Sequence, residues 1–138
     1  MSFVVDASVA IKWYVEEDHS ENAAKLLISG SDLHVPELIY PEFGNILWKK
    51  VRRGEAFPSE ARDIVDRFRR LALQIHRHTL LLKSAYIGAE ITGQTVYDWT
   101  YLSLAVFLDC QLITADRRFY DSLSNSSISK NLSWVGNI

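Results

Sequence analysis

The chain has 138 residues, 48% of them hydrophobic, with 17 acidic and 15 basic residues and a formal net charge of −2. That length and apolar share predict a single domain over 1–138 with a real core, and the balanced charge carries none of the overall basicity that signals nucleic-acid binding. No apolar run approaches the roughly 20 residues needed to cross a bilayer, the N-terminus MSFVVDAS lacks a basic n-region and a long h-region, and the single cysteine cannot close an internal disulfide.

The chain is therefore expected to stay in the cytoplasm, with Cys110 as a small buried hydrophobe. Phe3-Val4-Val5 reads as a short strand ending at Asp6, and Ser8 to Trp13 follows with helical character. Asp6 then sits at a strand-to-helix corner, where capping the helix and serving a site are equally open readings. Glu16 to His19 reads as a solvated acidic turn, after which Ser20 caps a helix that runs through Ser29 and stops at Gly30. Leu33 to Val35 is a second strand. Pro36-Glu37 opens a helix toward Gly54 with Leu38, Ile39, Phe43, Ile46, Leu47 and Val51 as its inner stripe and Glu42 beside it. Pro41 belongs in its first turns. Lys49, Lys50, Arg52 and Arg53 end that helix, where cations suit the dipole and could also meet RNA.

Pro58 begins another helix to about Ala72, with Ile64, Val65, Phe68 and Leu71 inward. Leu73 to His76 is a short strand, in which His76 and His78 share a side but lack a third zinc ligand in sequence. Leu80 to Ile91 is a further amphipathic helix. After Asp98, Leu102, Ala105, Val106 and Leu108 recur at helical spacing, and Leu112 to Thr114 forms a buried strand ending near Asp116. Ten helical residues travel about 15 Å one way and four strand residues about 13 Å back. Asp116 thus returns to the level of Asp98. Ser122 to Ser127 is loop-like, and Leu132 to Val135 is a last edge strand.

Strands alternating with helices predict an α/β protein with a mainly parallel central sheet. Asp6, Asp98 and Asp116 then share the edge where such folds bind ligands. Three carboxylates converging there without a cationic partner would repel, and an oxygen-only set suits the hard ions Mg²⁺ and Mn²⁺ rather than zinc.

These residues resemble the PIN-domain nucleases, and within them the VapC-type toxins of bacterial and archaeal toxin–antitoxin pairs. The resemblance rests on VVDASV at Val4 to Val9, VPELIYPEFGNILWK at Val35 to Lys49, YDWTYLSLAVFLDCQLITADRRF at Tyr97 to Phe119, and the total length. It covers essentially the whole chain. It implies a three-layer PIN-like fold, with the sheet flanked by helices, and it adds Glu42 to Asp6, Asp98 and Asp116 as the acidic set. Ser8 and Thr114 match the small hydroxyl residues that orient carboxylates or a bound water. Pro41 before Glu42 and Trp99 after Asp98 depart from the pattern, which has smaller residues there. The implied activity is Mg²⁺- or Mn²⁺-dependent hydrolysis of RNA, in a homodimer silenced by a cognate antitoxin protein. Arg117, Arg118 and the Lys49 to Arg53 run are candidates for the phosphate backbone.

Other classes fit less well. A non-catalytic RNA-binding or regulatory module on the same fold is the main alternative. Phosphoaspartyl chemistry wants a second Asp two residues after Asp6, where Ser8 stands. None of the six glycines makes a G-x-G pair for a dinucleotide.

Overall fold

β1 (Ser2–Val5) is the middle strand of a five-stranded sheet that the computed structural model describes over residues 1–138. With β2 (Asp32–Pro36), β3 (Gln74–His76), β4 (Gln111–Thr114) and β5 (Leu132–Trp134) the strand order is β3-β2-β1-β4-β5, and every pairing is parallel. A parallel sheet is covered on both faces, so its inner strands read as continuous apolar runs. Val4 and Val5 in β1 and Leu112 and Ile113 in β4 are accordingly wholly buried. Because Val5 pairs with Ile113, both strands deliver their next residues to the same edge.

Seven helices flank the sheet: α1 (Ala7–Ala10), α2 (Ser20–Ile28), α3 (Ile39–Arg52), α4 (Pro58–Arg70), α5 (Leu82–Thr92), α6 (Val96–Phe107) and α7 (Arg117–Leu123). α6 is the inner helix, buried without a break from Thr100 to Ala105 and packed on β1, β2 and β4. α3 carries Glu42 and buries Ile39, Phe43 and Leu47, a stripe at i, i+4, i+8. Phe43 stacks on Phe68 of α4 with centroids 3.9 Å apart, and Tyr14 meets the Phe43 ring edge-on at 5.8 Å. Pro41 lies in the first turn of α3, where the missing N–H has no partner to lose. α5 crosses α6 at Gly88, whose missing side chain makes room for the indole of Trp99. Trp99 Nε1 donates to Thr92 Oγ1 at 2.8 Å, so the large residue after Asp98 is housed by α5 rather than forced against the site. No helix is long and apolar enough to cross a membrane.

Four expectations are corrected. Ser20 is not a cap but the first residue of α2, preceded by His19 at φ 67, and its hydroxyl accepts from the Glu17 amide at 2.9 Å and donates to the Val15 carbonyl. The acidic turn is not simply solvated. Glu17 accepts from Lys12 at 3.2 Å and Lys50 at 2.7 Å, tying the turn to α3 and taking Lys50 out of the free basic run. Val65 and Val106 point outward, because the buried stripes are Ala61, Ile64 and Phe68 in α4 and the 100–105 run in α6. The stretch read as a loop from Ser122 begins as the last residues of α7, and Ser127–Asn131 forms a 3₁₀ turn. His76 faces a partner invisible in the sequence: its Nε2 lies 2.8 Å from His34 Nδ1 across the β2–β3 pair, one ring donating and the other accepting. His78 Nδ1 instead accepts from the Leu38 amide at 3.3 Å.

Candidate active site

Asp6 leaves β1 in extended conformation and enters α1, and the capping reading holds. Its Oδ1 accepts from the Val9 amide at 3.2 Å, which caps α1. The same oxygen accepts from Ser8 Oγ at 2.5 Å, while Oδ2 accepts from Thr114 Oγ1 at 2.6 Å. The two hydroxyls are themselves pinned, because the Ala115 amide donates to Ser8 Oγ at 3.0 Å and the Asp116 amide to Thr114 Oγ1 at 3.1 Å. Ser8 and Thr114 therefore lock the carboxylate that leaves β1 to the backbone that leaves β4. Burial drives the Asp6 carboxyl up to about 6, against the hydrogen bonds from Ser8, Thr114 and Val9 and with the Asp98 charge.

Asp98 stands in the first turn of α6, where Thr95 is the N-cap and accepts from the Asp98 amide at 3.0 Å. Burial raises its carboxyl above the ordinary range, the Thr95 side chain opposes that, and the Asp116 charge adds to it. Asp116 caps α7 by accepting from the Phe119 amide at 3.0 Å. Glu42 reaches in from α3, and its Oε1 accepts from the hydroxyl of Tyr101 at 2.5 Å. Burial raises the Glu42 carboxyl, partly offset by the Tyr101 hydrogen bond, with the Asp98 charge pushing further up.

Asp6, Glu42, Asp98 and Asp116 line one cavity of about 150 Å³ together with Ala7, Ser8, Ile46 and Tyr101, and no Lys, Arg or His is among its walls. The sequence expectation of a convergent set needs one correction. As they stand, no three acidic, histidine or cysteine side chains are grouped closely enough to hold an ion. Three of the four carboxylates are held by donors of the protein: Asp6 by Ser8 and Thr114, Glu42 by Tyr101, and Asp116 by the Phe119 amide. Mutual repulsion of uncompensated charge favours that spread. The donor set is all oxygen, which matches a hard divalent cation.

A second cavity of about 350 Å³ adjoins the first, sharing Asp98 and Asp116 and adding Gly93, Gln94, Thr95, Arg118 and Phe119. Arg118 thus borders the acids. Arg117 does not: its guanidinium lies 4.9 Å from the Trp134 ring centroid and pairs with Asp121 at 3.2 Å, on the far side of the α7 start. Lys49, Arg52 and Arg53 line a separate hollow at the end of α3. Sequence reasoning missed Tyr101. The available signal was its spacing, since three residues after Asp98 puts a side chain on the same helix face.

Comparison with known proteins agrees with this arrangement. The family model described as PIN domain matches residues 3–122. Ribonuclease VapC3 of Pyrobaculum aerophilum is 37% identical over 120 residues, covering 86% of this chain and 92% of the relative. Ribonuclease VapC9 of Mycobacterium tuberculosis is 31% identical over 119 residues, covering 86% and 89%. Among solved structures, PAE2754 from Pyrobaculum aerophilum superposes with a TM-score of 0.75 at 21% identity, over 99% of this chain and 85% of that one. VapBC2 from Rickettsia felis, bound to a DNA fragment from their promoter, gives 0.64 at 14% identity over 97% and 98%. At those identities the two structures speak to fold alone.

Proposed function

This chain belongs to the PIN-domain family, and from that premise we propose that it is a VapC-type endoribonuclease, the toxin of a toxin–antitoxin pair. The observation that carries the reading is the cavity walled by Asp6, Glu42, Asp98 and Asp116 with no basic side chain among its walls. Carboxylates that burial has pushed upward toward protonation are poor company for one another without a cation. We assign the four to holding one or two ions, Mg²⁺ or Mn²⁺. When bound, such an ion lowers the pKa of water and offsets the extra negative charge on a phosphate under attack.

The chain's own residues do the rest. Ser8 and Thr114 keep both oxygens of Asp6 aimed and fix the spacing between the ends of β1 and β4. Arg118, bordering the adjoining cavity, is the candidate contact for an RNA phosphate. Arg117 lies instead against the Trp134 ring and Asp121.

Cleavage of an RNA panel in Mg²⁺ or Mn²⁺ is the test. Activity is expected to vanish in excess chelator and to return on re-adding either ion, with calcium a poor substitute because it prefers a larger, looser oxygen shell. Cutting that survives the chelator, or that needs zinc, would overturn the site. The rival reading as a non-catalytic RNA-binding module predicts binding and no cutting in every ion.

The partners follow from the same reading. An antitoxin is supported by the two VapC relatives. A homodimer is supported by α5, whose uncovered side carries several large apolar side chains. Leu82, Tyr86 and Ile91 of α5 and the preceding Leu80 are exposed, and exposed apolar side chains gathered in one patch mark an association surface. Sedimentation of the purified chain is expected at twice the mass of the 15.8 kDa monomer, with Ile91→Glu in α5 shifting it toward the monomer. Unchanged sedimentation of that variant would exclude the α5 face.

A further inference from the structure

Glu42 is tethered differently from Asp6 and Asp116: its one hydrogen bond comes from a distant helix. Asp6 accepts from two hydroxyls and an amide, and Asp116 is held to the Phe119 amide inside its own helix cap. The carboxylate of Glu42 has a single hydrogen bond, from Tyr101, and the Tyr101 hydroxyl has no other partner either. The two groups form a closed couple across 59 residues, joining α3 to α6.

The donor in that couple is rigid. Tyr101 is 2% exposed and part of the main hydrophobic cluster, so its ring is fixed by packing rather than by the hydrogen bond. Burial, with the Glu42 charge adding to it, pushes the phenol far above its ordinary range, so the hydroxyl keeps its proton and serves as a donor. The acceptor is not rigid in itself: a Glu side chain has three rotatable bonds and loses more rotamer freedom on ordering than an Asp. Tyr101 also stands one helical turn beyond Asp98, so α6 supplies one wall carboxylate and the hydroxyl that aims another.

We propose that Tyr101 is a positioning residue that holds Glu42 in the ion-binding set, an inference that rests on the metal-dependent reading above. Tyr101 itself touches neither ion nor RNA. It restricts the longest of the four acidic side chains to the cavity wall, so that ion binding does not have to order it. The role parallels that of Ser8 and Thr114 on Asp6, supplied from the opposite side of the cavity.

The test is Tyr101→Phe, which keeps the ring and removes one oxygen. Thermal melting without RNA, titrated with Mn²⁺, gives the ion concentration for half of the full stabilisation. That concentration is expected to rise about 10–100-fold, the usual consequence of losing a partner behind a metal ligand. At saturating Mn²⁺ the KM for RNA should be that of the native chain. A residue that merely fills space would lower the ion-free melting temperature and leave the half-saturation concentration where it was, and that result overturns the proposal.

Glu42→Gln supplies the second arm. In that background Tyr101→Phe should bring no further rise, because its effect passes through Glu42. A full additional rise shows that Tyr101 acts some other way and overturns the proposal. Should the Phe variant fail to fold, Glu42→Asp draws the carboxylate one methylene away from Tyr101 at constant charge. The same rise is then expected, and an unchanged half-saturation refutes the role. A native chain that gains no stability from Mn²⁺ at all removes the metal-dependent reading, and this inference with it.

Discussion

Asp98→Asn is expected to abolish RNA cleavage while leaving the ion-free protein at least as stable as the native chain. The two effects have opposite signs because Asp98 is costly to the fold and necessary to the site. Its carboxyl is raised by burial, with the Asp116 charge adding to the effect, so the folded state holds its proton more tightly than the unfolded chain does. For an acid with a raised folded pKa, the penalty is present above that pKa and disappears as pH falls below the ordinary carboxylate value. Removing the charge therefore helps at neutral pH and not in acid. The start of α6 does not depend on this side chain, since Thr95 is the cap. Loss of a first-turn carboxylate gives back only about 0.3–1 kcal/mol of dipole interaction.

Cleavage should fall by roughly 10²-fold or more, beyond the 10–100-fold that loss of an outer partner costs. An ion at 100 times its Kd stabilises by about 2.7 kcal/mol, and a variant binding 100-fold more weakly keeps only about 0.4 kcal/mol. The Mn²⁺ melting shift should nearly vanish. An Asp98→Asn protein that cuts RNA at the native rate and keeps the native Mn²⁺ shift would leave the four-acid site without support.

Gly88→Leu is expected to produce a large loss of stability, because Gly88 is buried where α5 meets α6. A Cβ at this position already overlaps Cδ2, Cε3 and Cε2 of the Trp99 indole, and leucine adds three carbons beyond it. Ordinary overpacking costs about 1–3 kcal/mol. Here the clash lies between two packed helices and the obstacle is a ring, so the cost should lie at or above the top of that range. Replacing a helical glycine gives back at most about 1 kcal/mol. The displaced indole also loses its bond to Thr92 and drags the residue after Asp98, so ion binding should weaken with stability. The check is a second substitution in the same protein, Trp99→Ala, which restores room for the leucine. Recovery of the melting temperature in the double variant supports the steric account. If the two losses simply add, the helices do not meet as described.

The sequence carried most of the fold because its signals are local. Apolar runs of three or four residues ending at Asp6 and before Asp116 identify inner strands of a parallel sheet whichever neighbours they take. The i, i+4, i+8 stripe of Ile39, Phe43 and Leu47 does the same for α3. What it could not carry was pairing between distant side chains. Glu17 looked solvated because Lys50 is 33 residues away, and His76 showed only His78 beside it because His34 lies across a strand pair. Trp99 looked out of place until Gly88 was seen opposite it. Within the site, the acids were legible as strand-end and helix-start residues. Their individual tethers were not, since a hydroxyl such as that of Tyr101 has no periodicity to betray which carboxylate it serves.

The bond from Thr114 to Asp6 joins residues 108 apart. Ribosomes add about 5–20 residues per second, so something like 5–20 s pass between the emergence of the first acid and that of the hydroxyl that aims it. During that interval the nascent chain has no site. The middle strand of the sheet is made well before β4, so a fragment abandoned before Thr114 lacks the hydroxyl that aims Asp6.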